Sequence, residues 1–368
     1  MQISFQKTFF VIATVFALFA AMIFAKSILF PLSLALMMAF ILFPLVKRIE
    51  KWGANSIMAT FLSLLISSII IIGFIILFST QLIQLSSELS DFSAKIMGLF
   101  TDLLIFVNKN VSFLDDLNRE ELLKEGQDWL KNSAGLLVGK TVSNTSGFLT
   151  GSITVLIYSF LILIYRNSLT EAFVKFASKE NKDKVFNMLK NIQKVGQKYL
   201  SGMFILIVIL GFANSIGLWI IGIDSPFLFG FLAATLSIIP YVGTTLGATI
   251  PVLYAVMAYD QLWMPVAVII LFWAIQLIES NFLSPKIVGS SLNVNPLAAI
   301  LSLIVGAAVW GIAGMVLFLP FAAMLKVFCE QFDELRPVAM LINNHNDANE
   351  KESSKFSKKI ASLFSRNS

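Results

Sequence analysis

Long apolar runs alternate with short polar connections along most of the chain. The runs cover residues 8–25, 27–46, 56–83, 146–165, 200–223, 226–258, 263–282 and 296–327. About 20 apolar residues carry a helix across a bilayer, so the pattern predicts eight spanning segments. Segments 226–258 and 296–327 are longer than the rest and are punctuated by Gly and Pro. Each is either one tilted, broken helix or a re-entrant pair. Region 84–145 is too polar to span. Across its N-terminal border and first half, Leu82, Leu85, Leu89, Phe92, Ile96, Leu99, Leu103 and Phe106 alternate by three and four, which is a heptad seam. That seam belongs either to an amphipathic helix lying on its own protomer or on lipid, or to a helix that leaves the third span and pairs with a neighbouring subunit. The predicted fold is an all-α integral membrane protein with about eight transmembrane helices, the sixth and eighth broken or re-entrant, plus an extracytoplasmic amphipathic helical insert.

Charge orders these elements. The chain has 368 residues, 57% apolar and 13% charged, against about 25% charged in soluble domains. A bilayer is the solvent that suits it. Basic loops stay in the cytoplasm. KRIEK at 47–51 is basic, and 166–198 carries Arg166 and seven lysines against three acids. Region 84–145 holds six basic and nine acidic residues and is expected outside. With eight crossings, both termini then lie in the cytoplasm, and the membrane is the bacterial inner membrane. Residues 8–25 read as a retained span rather than a cleaved leader. The expected organisation is N-terminal spans over 1–83, the insert over 84–145, C-terminal spans over 146–327 with a cytoplasmic helix at 166–198, and a basic tail over 328–368. Phe173, Phe176, Phe186, Leu189 and Ile192 among the lysines of 166–198 suit the inner leaflet surface. The tail stretch 355–366, KFSKKIASLFSR, repeats that design or is a disordered basic tail.

Several kinds of chemistry drop out. A lone cysteine, Cys329, allows no internal disulfide, and one histidine, His345, in a polar tail gives no zinc cluster. A net charge of +5 reads as membrane orientation and not as nucleic-acid binding. AGLLVGKT at 134–141 resembles a phosphate-binding loop, but Ala134 stands where that loop needs its first Gly, and no strand precedes it. No cofactor is expected, no metal, and no enzyme chemistry: the chain lacks HExxH, paired membrane aspartates and a membrane histidine.

The stretch SIIPYVGTTLGATIP, 237–251, places Pro240, Gly243, Thr244, Thr245 and Gly247 inside the longest apolar run. Irregular backbone at membrane depth survives only when buried in protein or lining a wet cavity. The stretch is either a kinked helix packed on a neighbour or a broken helix lining a transport path. A second irregular segment, 283–320, carries Pro285, Lys286, Gly289, Asn293, Asn295, Pro296, Gly311 and Gly314. Just before it, IQLIESNFL brings Gln276, Glu279 and Asn281. Glu279 is an acid in or near a span, and such acids face a cavity or a partner. It forms a salt bridge with Lys286, couples a proton or cation, or is an interfacial acid. These sixteen positions are the candidate transport path.

IPYVGTTLG, then ESNFLSPKIVGSSLNVNP, then GAAVWGIAGMVLFLP resemble, in order and spacing, the autoinducer-2 exporter (AI-2E) family of bacterial membrane proteins. The resemblance extends over most of the chain, most specifically in its C-terminal half. It implies an oligomeric polytopic permease that exports small molecules, and members are linked both to signal release and to sodium/proton exchange. Two positions depart from the family pattern. Thr244 stands where the family has Pro, and Asn295 where it often has His, which shifts any proton coupling toward Glu279. The expected partners are a small-molecule or ion substrate, membrane lipids and further copies of the chain. The leading expectation is a secondary exporter of a small polar molecule, and the alternative is a cation/proton antiporter. A passive pore or membrane scaffold, assembled through the heptad helix, is the third reading.

Overall fold

A computed structural model describes residues 5–76, 79–80, 145–239, 242–289 and 293–344. The expected insert at 84–145, apart from its last residue, and the tail helix at 355–366 lie outside the described residues, as does Pro240. Among the described residues there are twelve α-helices and no β-strand. In chain order they are α1 (Phe5–Phe24), α2 (Lys26–Lys51), α3 (Ser56–Ile76), α4 (Thr145–Ile164), α5 (Arg166–Lys175), α6 (Lys182–Ile221), α7 (Pro226–Leu236), α8 (Val242–Ala258), α9 (Trp263–Ile278), α10 (Pro296–Trp310), α11 (Ile312–Cys329) and α12 (Arg336–Ile342). The described residues are all-α, as the periodicity predicts. Five of the described helices are long and apolar enough to cross a bilayer, or six if α4 and α5, bent by 66°, form one span.

Both long apolar segments fold back on themselves. The first is α7 and α8: Gly243 lies against Leu236 and Gly247 against Ala233, so one helix runs antiparallel to the other. The break has a local cause. Helix α7 stops at Leu236, four residues before a proline that lacks an N–H and whose ring would clash with that carbonyl in a continuing helix. The second hairpin is α10 and α11, joined at Gly311, with Gly306 and Gly314 packed backbone to backbone. At 1.5 Å per residue the 11 residues of α7 and the 15 of α10 reach about 16 and 22 Å, short of the roughly 30 Å hydrocarbon core.

The chain divides into two compact units, one formed by the described residues of 1–64, 155–206 and 280–368, the other by those of 65–154 and 207–279. In the first unit, Ala39, Leu42, Val46 and Ile49 line one stripe of α2 and meet Ala59, Leu64 and Leu163. Met37 turns instead to Trp310, Leu317 and Met324 of the second hairpin. Trp310 stacks edge-on against Phe30 and Phe318, and its indole N–H donates to the Met22 carbonyl at 3.1 Å. The Arg166 guanidinium pairs with Glu50, which joins the end of α2 to the bend between α4 and α5. In the second unit, Phe229, Ala233, Tyr254, Val268 and Phe272 form the core. Elsewhere large apolar side chains such as Phe61, Ile69, Ile76 and Trp273 are exposed, which suits a lipid solvent.

Gly311 has φ 69° and ψ −147°, a conformation open to glycine alone, while nothing lies within 4 Å of where its Cβ would be. Gly311→Ala therefore isolates backbone strain. It is expected to cost about 1–3 kcal/mol, read as a lowered Tm in detergent.

Candidate transport site

The second unit holds a small, partly open pocket of about 20 Å³ with both polar and apolar walls, room for one water molecule. Asn214 reaches it from α6, Ser237 from the end of α7 and Thr244 from the first turn of α8. Gln276 and Glu279 come from α9 and the turn that follows, with Leu210, Phe272 and Ile275 as apolar wall. Close helix approach builds it. Gly211 meets the Phe231 ring, Gly230 sits on Ser215, and Gly217 meets Leu271. Helix α6 is thus pressed against both α7 and α9, which brings Asn214 to the cavity.

Glu279 is buried and ends α9, where the backbone widens into two π-helical turns, Glu279–Leu283 and Pro285–Gly289. Pro285 accounts for part of this, since it has no N–H for the Asn281 carbonyl and its ring crowds it. Such π turns often mark functional positions. In the first unit, Gly202 of α6 allows close approach to the second turn: a Cβ there would lie 2.8 Å from the Ile287 carbonyl.

Of the sixteen expected positions, Thr244, Gln276 and Glu279 meet at this cavity. Gly243 and Gly247 seal the α7–α8 hairpin. Thr245 is exposed on α8, and Asn281, Pro285 and Lys286 are exposed in the π-helical stretch that Gly289 closes. Gly311 and Gly314 turn and pack the second hairpin. Asn295 caps α10, its Oδ1 accepting from the Ala298 N–H at 2.8 Å, with Pro296 in the first turn. Its amide also donates to the Leu341 and Asn343 carbonyls, tying α10 to the end of α12. Asn293 takes a left-handed backbone, φ 49°, and its carbonyl accepts from buried Lys326 at 2.9 Å. Asn295→Ala is expected to cost about 2 kcal/mol, and Asn295→Ser to recover about half by restoring the cap. Thermal unfolding of the two variants checks this.

Sequence reasoning missed Asn214 and Lys326. Both had a signal, being an amide and an ammonium inside otherwise apolar runs. Asn214 is 4% exposed and its Oδ1 makes no hydrogen bond.

A multi-pass chain, all-α over its described residues, with a carboxylate buried beside a small pocket of mixed polar and apolar lining fits the class of membrane transporters. The chain belongs to the AI-2E transporter family, whose profile matches residues 11–334. It is 26% identical to YueF of Bacillus subtilis, over 83% of this chain and 84% of that protein. YueF's name gives it a transport role without a substrate. To the AI-2 transport protein TqsA of Escherichia coli it is 24% identical, over 88% of this chain and 91% of TqsA. A shorter match, to YrrI of Bacillus subtilis, is 36% identical over 38% of each chain.

Proposed function

We propose that this protein is a secondary exporter of a small polar molecule of the autoinducer-2 kind, with Glu279 as the group that couples transport to an ion gradient. The observation that carries the reading is Glu279 itself, a buried carboxylate sharing a cavity with Asn214, Thr244 and Gln276. A buried ionisable group in a membrane segment is costly and is kept where it serves transport. The name of TqsA supports the substrate class. The path runs along the 237–251 and 283–320 segments. The protein works without enzymatic chemistry, as a homo-oligomer in the bacterial inner membrane, with both termini cytoplasmic. Pairing of Arg166 with Glu50 supports the orientation, because it joins two basic loops that the charge rule sends to the same side.

Cation/proton exchange is the second reading, and the cavity's size favours it: about 20 Å³ suits a proton or a bare monovalent cation better than an organic solute. Purified protein in vesicles with an internal pH dye separates the two. Export predicts flux of an autoinducer-2-type solute that does not depend on sodium. Exchange predicts sodium-driven proton movement with no solute present. Absence of both fluxes would refute the transporter assignment for this site.

A further inference from the structure

The first unit carries a row of three lysines on one face of α6. Lys190, Lys194 and Lys198 follow one another at intervals of four, so they stand one above the next, about 6 Å apart along the axis. All three are exposed, and among the described residues none of them forms an ion pair. Like charges at this spacing destabilise a helix, and the neighbouring Asn187, Asn191 and Gln197 are neutral amides. The opposite face of α6 fixes the direction of the row. Met188 and Tyr199 are buried, Gly196 meets Phe40 of α2 and Met324 of α11, and Ile192 packs against the Trp310 cluster. Ile192, expected at the leaflet surface, thus turns inward, and this part of α6 stands against the protein with its lysines outward. Two turns past Lys198 the same face is still exposed and presents Ile205, a side chain that suits lipid. Gly196, between the second and third lysines, lies level with Phe40. That is seven residues, about 10 Å, before α2 reaches Lys47 at its basic end.

We infer that this row is a binding site for the phosphate headgroups of acidic phospholipids. At the depth of Phe40 a bare ammonium is costly. A lysine stem lies along apolar surface while its head reaches toward the phosphate layer. Three ammonium groups side by side favour lipids of net negative charge over zwitterionic ones, and a bound acidic headgroup offsets the repulsion along the row. Continuation of the face into Ile205 favours a lipid over a water-borne anion or an acidic protein segment, because one helix face then meets headgroup and acyl chain in turn. In the proposed orientation the headgroups are those of the inner leaflet. The site is independent of Glu279 and of the solute carried.

The test uses full-length protein in a neutral detergent, with dioleoylphosphatidylglycerol as the probe and dioleoylphosphatidylcholine as its zwitterionic counterpart. Native mass spectrometry reads the lipid retained, and a melting curve reads its effect on the fold. Phosphatidylglycerol is expected to bind about ten-fold or more tightly than phosphatidylcholine and to raise Tm. Lys190→Gln, Lys194→Gln and Lys198→Gln combined are expected to weaken its retention about a hundred-fold, or about five-fold for each charge. Arg at the same three positions keeps the charge and is expected to keep the retention. Lys175→Gln, Lys179→Gln and Lys182→Gln combined remove as much charge from the same region and are expected to leave most of the retention in place. Equal retention of the two lipids by wild type overturns the inference, and so does wild-type retention in the first triple variant. An equal loss in the second triple variant shows diffuse attraction and overturns it too. Displacement of the lipid by millimolar inorganic phosphate, with the same rise in Tm, makes the row a site for water-borne anions and overturns the lipid assignment. Should the first triple variant fail to fold, Lys194→Gln alone decides: a loss of about five-fold supports the inference, and unchanged retention overturns it.

Discussion

Glu279→Gln is expected to reduce coupled transport about a hundred-fold or more while the protein folds normally. The substitution keeps the shape of the side chain and its hydrogen-bonding reach but removes its capacity to take up and release a proton. Moving a proton through a positioned side chain is worth about 10²–10⁴ in rate, so loss of that step dominates the variant's kinetics. Stability moves the other way or not at all, since a neutral amide is less costly than a carboxylate inside a cavity walled by Leu210, Phe272 and Ile275. The measurement is solute and proton flux in vesicles beside a melting curve in detergent. A variant that transports at the wild-type rate would falsify the coupling role. One that simply unfolds would show Glu279 to be a structural acid. Glu279→Asp, which keeps the charge but withdraws it by one methylene, is expected to retain partial flux.

The largest loss of stability is expected at the second hairpin. Gly306 and Gly314 face each other so closely that a Cβ on either would strike the carbonyl of the other. Backbone cannot move aside as a side chain can. Gly306→Val or Gly314→Val therefore has to pry α10 from α11, and about 3 kcal/mol or more is expected, at or above the upper end of ordinary overpacking. Trp310 amplifies the effect, because its contacts to Phe30 and Met22 tie the hairpin to α1 and α2. The check is thermal unfolding of each variant beside Gly73→Val. Gly73 also lies in an apolar helix, but nothing is within 4 Å of its Cβ position. A drop in Tm at 306 and 314 with little change at 73 is the expected pattern.

Much of this architecture is legible in the sequence, for identifiable reasons. Apolar runs of bilayer length fixed the helices, because lipid requires every backbone group to be paired within its own segment. The Pro and Gly clusters gave the position of both breaks. They could not choose between a kinked helix and a folded-back pair, since that choice depends on which backbones meet: Gly243 with Leu236, and Gly306 with Gly314. Glu279 stands out as an acid in an apolar run. Asn214 stands out less, and what a lone amide faces is decided by a neighbouring helix, here α7, brought close through Gly230. Asn295 carried a readable cue that went unused. An Asn followed directly by Pro before an apolar helix is a cap signature, and its side chain serves that cap. The π turns after Ile278 had no cue beyond Pro285.

The central claim is that the break between α7 and α8 opens onto a polar path. Thiol labelling at Thr244 tests it most directly. Wild type supplies the blank, because its single cysteine, Cys329, is buried. Thr244→Cys, at the cavity, is compared with Thr249→Cys, exposed on α8 away from it, using a small charged reagent on protein in vesicles during transport. The account predicts that Thr244→Cys is modified, that modification blocks flux, and that substrate slows it, while modification of Thr249→Cys, away from the pocket, leaves flux unchanged. An unreactive Thr244→Cys in a transporting protein would contradict the account and leave 237–251 as a packed bend with no part in the path.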